Sequence, residues 1–293
     1  MPRHFLTGKE LAARELAALL DDALELKRGR AARQTHQALA GKSVALLLER
    51  PSTRTRVSFE VGIAELGGTA VILRGDELQL TRGESIGDTG RVLSRYVQAI
   101  VVRAGSHEVV EELASAAEVP VINGLTPAHH PCQALADLLT LQERFGELIG
   151  LRVAYVGDGN NVARSLAILG QAAGVEVHVA SPQGYGLEPG VASLDTTDPN
   201  EAVAGADAIY TDVWVSMGDE ADAERRRADL GPYQVNAELL ADAADRAIVL
   251  HCLPAHPGEE ITEDVLYGER SAVWDQAENR LHAQKALLEL LLG

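Results

Sequence analysis

Residues 43–66 read SVALLLERPSTRTRVSFEVGIAEL. Residues 43–48 are one short apolar run, with the length and character of a strand covered on both faces. A polar, proline-led turn follows at 51–56, and 57–66 reads as a helix. The unit is therefore strand, turn, helix. Outward from it the same alternation continues, with strands expected over 69–73, 99–103 and 119–123 and helices over 86–96, 108–116 and 131–145. After the break Gly146-Glu147-Leu148-Ile149-Gly150, strands are expected over 152–156, 176–180, 208–212 and 247–252. This pattern predicts an α/β fold of doubly wound parallel sheets with helices on both faces.

The 293 residues, 46% of them hydrophobic, are enough for two cores. The break predicts one domain over 1–147 and a second over 148–275, with a helical segment over 276–293 returning to the first. The apolar surplus of that segment, ending in Leu290-Leu291-Leu292, suggests that it docks on a core. Ligands of such sheets bind beyond the carboxyl ends of the strands, so an active site is expected in the cleft between the two domains. No repeat of fixed period and no low-complexity tract interrupts the pattern.

Lys and Arg number 26 against 43 Asp and Glu, a net charge of −17, which argues against nucleic acid or an anionic membrane as partner. Any anionic ligand needs a local basic pocket. Cys132 and Cys252 form no disulfide framework and no zinc spacing, which suits a reducing cytoplasm. No apolar run approaches the roughly 18 residues of a membrane span. Residues 1–20 lack the uninterrupted apolar core of a signal peptide.

Polar motifs sit just after the strands. Pro51-Ser52-Thr53-Arg54-Thr55-Arg56 places hydroxyls and guanidinium groups at a helix start, where free N–H groups and the dipole favour an anion; an ordinary Ser/Thr cap with solvated arginines would look similar. His129-His130-Pro131-Cys132-Gln133 opens the next such helix, and His130 and Gln133 could donate to a ligand oxygen. His129 alone reads as a loop histidine. Gly157-Asp158-Gly159-Asn160-Asn161-Val162 invites a dinucleotide reading, but Val162 replaces the third glycine and 179–181 lacks the ribose-binding acid. Its paired amides suit an amino acid's carboxylate and ammonium instead. Asp212-Val213-Trp214-Val215-Ser216-Met217-Gly218 and His251-Cys252-Leu253-Pro254-Ala255-His256 complete the set. A cysteine at a strand end is often only a small hydrophobe, and the single arginines Arg103 and Arg280 could each be surface charges.

Together these segments resemble the aspartate/ornithine transcarbamylase family, from residue 4 to residue 292, and within it the branch that uses ornithine. Ser52-Thr53-Arg54-Thr55-Arg56 resembles the family's carbamoyl phosphate loop, His130-Pro131-Cys132-Gln133 its second phosphate-side motif, and Gln79 the glutamine of a further contributing loop. The resemblance implies transfer of a carbamoyl group from carbamoyl phosphate to the δ-amine of L-ornithine, without metal or organic cofactor. It implies that Ser52, Thr53, Arg54, Thr55 and Arg103 bind phosphate, with Gln79 nearby, and that His130, Gln133, Arg280 and Thr55 polarise the carbonyl. Cys252 and Leu253 would also border carbamoyl phosphate. Asn161, Ser216 and the backbone of Met217 would hold the α-groups of ornithine, while Asp212 and Cys252 hold its δ-amine. The catalytic set would be Arg54, Arg103, His130, Asp212, Cys252 and Arg280.

The resemblance further implies a cytoplasmic homotrimer or an assembly of trimers acting in arginine metabolism, where synthesis and breakdown use the same residues. Aspartate, putrescine or an acylated ornithine are the rival acceptors; a dinucleotide-dependent oxidoreductase and a catalytically silent relative are rivals of other classes. Two departures from the family stand out. Residues 182–200 are short for a segment that commonly carries a further helix and strand, and Pro257 stands where many bacterial members carry arginine.

Overall fold

A computed structural model describes residues 2–50, 52–75, 83–216 and 220–293, so Gln79 and Met217 lie outside the described residues. The chain divides into two compact units, Met1–Leu139 with Asn279–Gly293, and Thr140–Glu278.

The first unit holds α1 (Ala13–Ala31), β1 (Ser43–Leu48), α2 (Thr53–Glu65), β2 (Thr69–Arg74), α3 (Ile86–Leu93), β3 (Ala99–Arg103), α4 (His107–Ala116), β4 (Val121–Leu125) and the start of α5 (Pro131–Phe145). Its four strands are all parallel, in the order β2-β1-β3-β4. β1 is inner and covered on both faces, which is why it reads as an unbroken apolar run. A core of Ala45, Leu47, Ile100, Val102, Val110, Leu113 and Val121 lies between the sheet and its helices.

The second unit contains the rest of α5, then β5 (Arg152–Val156), α6 (Asn161–Ala173), β6 (Glu176–Ala180), β7 (Leu194–Thr196), α7 (Pro199–Val203), β8 (Ala208–Thr211), α8 (Ala223–Leu230), α9 (Ala237–Ala241), β9 (Ile248–His251), α10 (Glu263–Leu266) and the start of α11 (Val273–Leu292). Its sheet is parallel, in the order β7-β6-β5-β8-β9. Each sheet reverses its winding beside its first strand, between β1 and β3 and between β5 and β8. Such switch points are where open α/β sheets bind ligands, and the loops after these four strands carry the polar motifs. Among the described residues no helix is long and apolar enough to cross a membrane.

Several boundaries differ from the sequence expectations. α2 starts at Thr53 rather than Val57, because Ser52 caps it by accepting from the Thr55 N–H at 3.3 Å. β4 starts at Val121, after Pro120, which has no N–H to give a ladder. The division between units falls within α5, after Leu139, rather than in the glycine-flanked loop. α11 begins at Val273, which places Arg280 well inside the helix instead of at its start. It docks through Ala283, Ala286, Leu287 and Leu288, whereas Leu290 is exposed and Leu291 and Leu292 are half-buried at its end. The short segment 182–200 contains the edge strand β7 without a helix before it. α1 and α6 carry no expectation from the sequence.

Gly159, in the loop after β5, is required by close approach. A Cβ there would lie 2.6 Å from the Tyr185 carbonyl oxygen and 2.9 Å from the Gly186 carbonyl carbon, both backbone atoms that cannot rotate away. Gly159→Ala is expected to lower unfolding free energy by about 1–3 kcal/mol in a denaturant titration. Gly231→Ala, where an added carbon meets nothing within 4 Å, should change it by less than about 0.5 kcal/mol. Equal midpoints for the two variants would remove the steric argument.

Candidate active site

In the first unit the capped start of α2 presents Thr53 and Arg54 to solvent while Thr55 is buried. The β1–β3 register sets Leu48 beside Arg103, so the Arg103 side chain leaves the sheet next to that helix start. α5 begins at Pro131, which needs no N–H there, and supplies His130 at its entrance and Gln133 in its first turn. Arg103, His130, Gln133 and Arg280 are all buried. Arg280 donates through Nη2 to Thr55 Oγ1 at 3.1 Å and through Nη1 to Gln133 Oε1. Gln133 Nε2 in turn donates to Asp137 Oδ1 at 2.8 Å. Burial first, then the charges of Arg280, Arg103 and Arg54, hold the His130 imidazole well below its ordinary pKa. A neutral histidine among three guanidinium groups makes the cluster strongly cationic, a setting for an anion carrying a carbonyl.

The second unit builds a different site. β8 and β9 pair Thr211 with His251, so Asp212 and Cys252 each leave the sheet one residue later, side by side. Cys252 Sγ donates to Asp212 Oδ1 at 3.0 Å, and the Val213 N–H donates to the same oxygen at 2.8 Å. Asn160 caps α6, its Oδ1 accepting from the N–H groups of Val162 and Ala163, and its Nδ2 donates to Asp212 Oδ2 at 2.8 Å. Asn161 opens α6, and Ser216 follows in the loop after Asp212; both are half-buried. Arg226 secures this loop: it pairs with Asp158 and donates to the Trp214 carbonyl at 2.6 Å, its guanidinium 5.3 Å from the Tyr185 ring centre.

His251 is fully buried, and its Nδ1 accepts from the Leu253 N–H at 2.9 Å. Nε2 therefore carries the proton and donates to Glu260 Oε1 at 3.1 Å. The Nδ1 bond holds Leu253 at φ 58, a conformation that costs a branched residue about 1–2 kcal/mol. Leu253 precedes a cis Pro254. Asp212, His251 and Cys252 offer ligand atoms within 4.8 Å of one another. Both ring nitrogens of His251 are committed to protein partners, so that set does not fit a metal without rearranging. The two cysteines differ sharply: burial pushes the Cys132 thiol up to about 12, against a smaller opposing effect of Arg280, whereas Cys252 is half-buried.

The first unit thus carries a cationic cluster suited to an anion, and the second a carboxylate–thiol pair suited to an ammonium group. The aspartate/ornithine carbamoyltransferase carbamoyl-P binding domain matches residues 3–143, and the Asp/Orn binding domain of the same family matches 149–291. The chain belongs to the aspartate/ornithine carbamoyltransferase family. It is similar to the ornithine carbamoyltransferase of Acidothermus cellulolyticus, at 55% identity over 100% of this chain and 97% of the relative. The enzyme of that name from Methanoculleus marisnigri is 51% identical over 100% and 98%. Among solved structures, the ornithine carbamoyltransferase of Pyrococcus furiosus superposes with a TM-score of 0.95 at 50% identity, covering 100% of this chain and 97% of the other.

The structure gathers Thr55, Gln133 and Arg280 by direct hydrogen bonds, and Arg54, Arg103 and Arg280 around His130. Sequence reasoning passed over Asp137 and Arg226, and it read Asn160 as one of two amides facing an amino acid rather than as the cap of α6 and a partner of Asp212. Asn160 was legible as a helix cap, and Asp137 as the residue one helical turn after Gln133. Nothing in the local sequence marks Arg226.

His130 gives a pH prediction. Its folded pKa lies below the ordinary 6.5, so below that pH the unfolded chain binds a proton that the folded protein does not. The stabilisation from keeping it neutral is complete above about pH 6.5 and declines as pH falls, at up to about 1.4 kcal/mol per pH unit. The stability advantage of the native protein over His130→Gln should therefore shrink between about pH 6.5 and 5 in paired denaturant titrations. A difference constant over that range would contradict a buried neutral imidazole.

Proposed function

We propose that this chain transfers the carbamoyl group of carbamoyl phosphate to the δ-amine of L-ornithine, giving L-citrulline and phosphate. The observation that carries the choice of acceptor is Asp212, whose carboxylate is held by Asn160 and Cys252. A carboxylate attracts an ammonium and repels an aspartate side chain, and residues 210–220 supply Asp212, Asp219 and Glu220 but no Arg or Lys. Putrescine has no α-carboxylate for Asn161 and Ser216 to read.

On this reading Ser52, Thr53, Arg54, Thr55 and Arg103 hold the phosphate, with Gln79 contributing, so that negative charge develops on the leaving group against fixed donors. Arg280, Thr55, His130 and the second amide N–H of Gln133 donate to the carbonyl oxygen. Asn161, Ser216 and the Met217 backbone take the α-groups; Asp212, Cys252 and the Leu253 backbone surround the reacting ends. An alkyl amine with pKa about 10.4 is neutral in roughly one molecule per thousand near pH 7.5, a penalty of about 4 kcal/mol. The δ-nitrogen must lose a proton before its lone pair attacks the carbonyl carbon. The new C–N bond forms, the tetrahedral oxyanion collapses, the C–O bond to phosphate breaks and a second proton leaves nitrogen. Activity should climb above neutral pH.

The family likeness also supports a homotrimer or an assembly of trimers, which sedimentation would test. Two cysteines far apart in sequence, with no disulfide framework and no CxxC pattern, support a reducing cytoplasm. Incubation with carbamoyl phosphate and each of ornithine, N-acetylornithine, lysine, putrescine and aspartate should yield ureido product with ornithine. Asp212→Asn should raise the ornithine KM and cut turnover by at least about tenfold, since a charged hydrogen bond is worth about 1.5–3 kcal/mol. Its phosphate inhibition constant should stay nearly unchanged. Loss of phosphate affinity without a selective effect on ornithine would reassign Asp212 to structure.

A further inference from the structure

Asp137 is fully buried in α5, one turn beyond Gln133, and accepts from Gln133 Nε2 at 2.8 Å. The two ends of an amide have nearly the same shape, so packing alone does not choose between them. Here the partners choose. A guanidinium only donates, so the amide oxygen faces Arg280, and the amide nitrogen then faces Asp137 Oδ1, which accepts from it. Arg280, held through Nη1, then places Nη2 on Thr55 Oγ1 at 3.1 Å. The sequence Asp137, Gln133, Arg280, Thr55 is a chain of donors and acceptors in which Asp137 and Arg280 together fix the orientation of the Gln133 amide.

We propose that Asp137 is a positioning residue for carbamoyl transfer: by orienting the amide of Gln133 it aims the guanidinium of Arg280 at the carbonyl oxygen of carbamoyl phosphate. This inference rests on the reading given under Proposed function. Asp137 acts through Gln133 rather than on the substrate. Without it the amide can turn over, setting its NH2 against the Nη1 of Arg280, donor against donor. The guanidinium would then lose the contact that fixes its plane, and an oxyanion donor misplaced by a fraction of an ångström stabilises the tetrahedral intermediate poorly. Of the residues that hold the phosphate on this reading, Thr55 alone belongs to this chain of four, at the end farthest from Asp137; Ser52, Thr53, Arg54 and Arg103 are not members of it.

That separation defines the test. Asp137→Ala should lower kcat at least tenfold while the inhibition constant of inorganic phosphate stays within about twofold. Asp137→Ser, whose hydroxyl is too short to reach the amide, should behave alike and serves if the alanine variant folds poorly. Asp137→Asn keeps an acceptor at the same place and should recover most of the lost turnover. In a Gln133→Ala background, Asp137→Ser should lower kcat by less than about a further twofold, because the amide it orients is gone. Parallel losses of phosphate binding and kcat, no recovery with asparagine, or full additivity with Gln133→Ala would each overturn the proposal in favour of a general structural role. Native enzyme that forms no ureido product from ornithine would defeat the functional reading itself. Normal native activity with unchanged kcat in Asp137→Ser would defeat only this inference.

Discussion

A guanidinium group cannot lose its protons in a protein, so burying Arg280 to 2% exposure commits the fold to finding acceptors for it. Much of the first unit follows from that commitment. Acceptors come from Gln133 at the start of α5 and Thr55 at the start of α2, elements 78 residues apart in sequence as those two positions stand. Arg103 approaches from the end of β3, set beside β1 by the strand register. Like charges so placed repel, and the cost is contained because His130 stays neutral among them. What remains is a locally cationic setting, which suits a phosphate-bearing ligand. The same repulsion that makes the empty site costly makes it select an anion.

The second unit solves the opposite problem. Asp212 is nearly buried, and three donors from separate parts of the chain reach it: the amide of Asn160, the thiol of Cys252 and the Val213 N–H. A carboxylate satisfied this fully keeps its direction. Asn160 spends its other end capping α6, so the helix start and the carboxylate are located by one side chain. Behind Cys252, the buried His251–Glu260 pair holds the turn at Leu253 through the imidazole's second nitrogen. Arg226 does the corresponding work on the loop after β8.

The fold class was legible because the strands are buried on both faces. Runs such as 43–48 and 99–103 have no polar alternation to blur them, and 131–145, 152–156 and 176–180 match their elements to the residue. The helix starts were less legible where a polar residue replaces an apolar marker. Thr53–Thr55 look like loop by hydrophobicity, yet the Ser52 cap makes them the first turn of α2. The middle of α11 misled in the other direction. Its leucine-rich end drew attention, while the buried face carries Gln276, Asn279, Arg280, His282 and Gln284. Residue types named the candidate site, but the contacts that orient it, from Asp137 and Arg226, join positions whose side chains are ordinary surface residues by composition. Tertiary contact, not local pattern, gives them their role.

The overall charge of −17 and the cationic cluster act at different ranges. At physiological ionic strength the screening length is about 8 Å, so an approaching phosphate meets little of the distant negative charge. Within that distance the local guanidinium groups dominate, and burial makes Arg103 and Arg280 stronger than a surface arginine. The acidic surface therefore does not contradict an anionic substrate. It leaves the ends of β1 and β3, where the charges of Arg54, Arg103 and Arg280 act on His130, as a local cationic setting suited to such a substrate. An ammonium-bearing acceptor is screened from the general field in the same way, and the fixed carboxylate of Asp212 offers it the opposite charge at short range. The two substrates are thus told apart by charge alone before any detail of shape is read, which is the minimum an enzyme joining an anion to an amine must achieve.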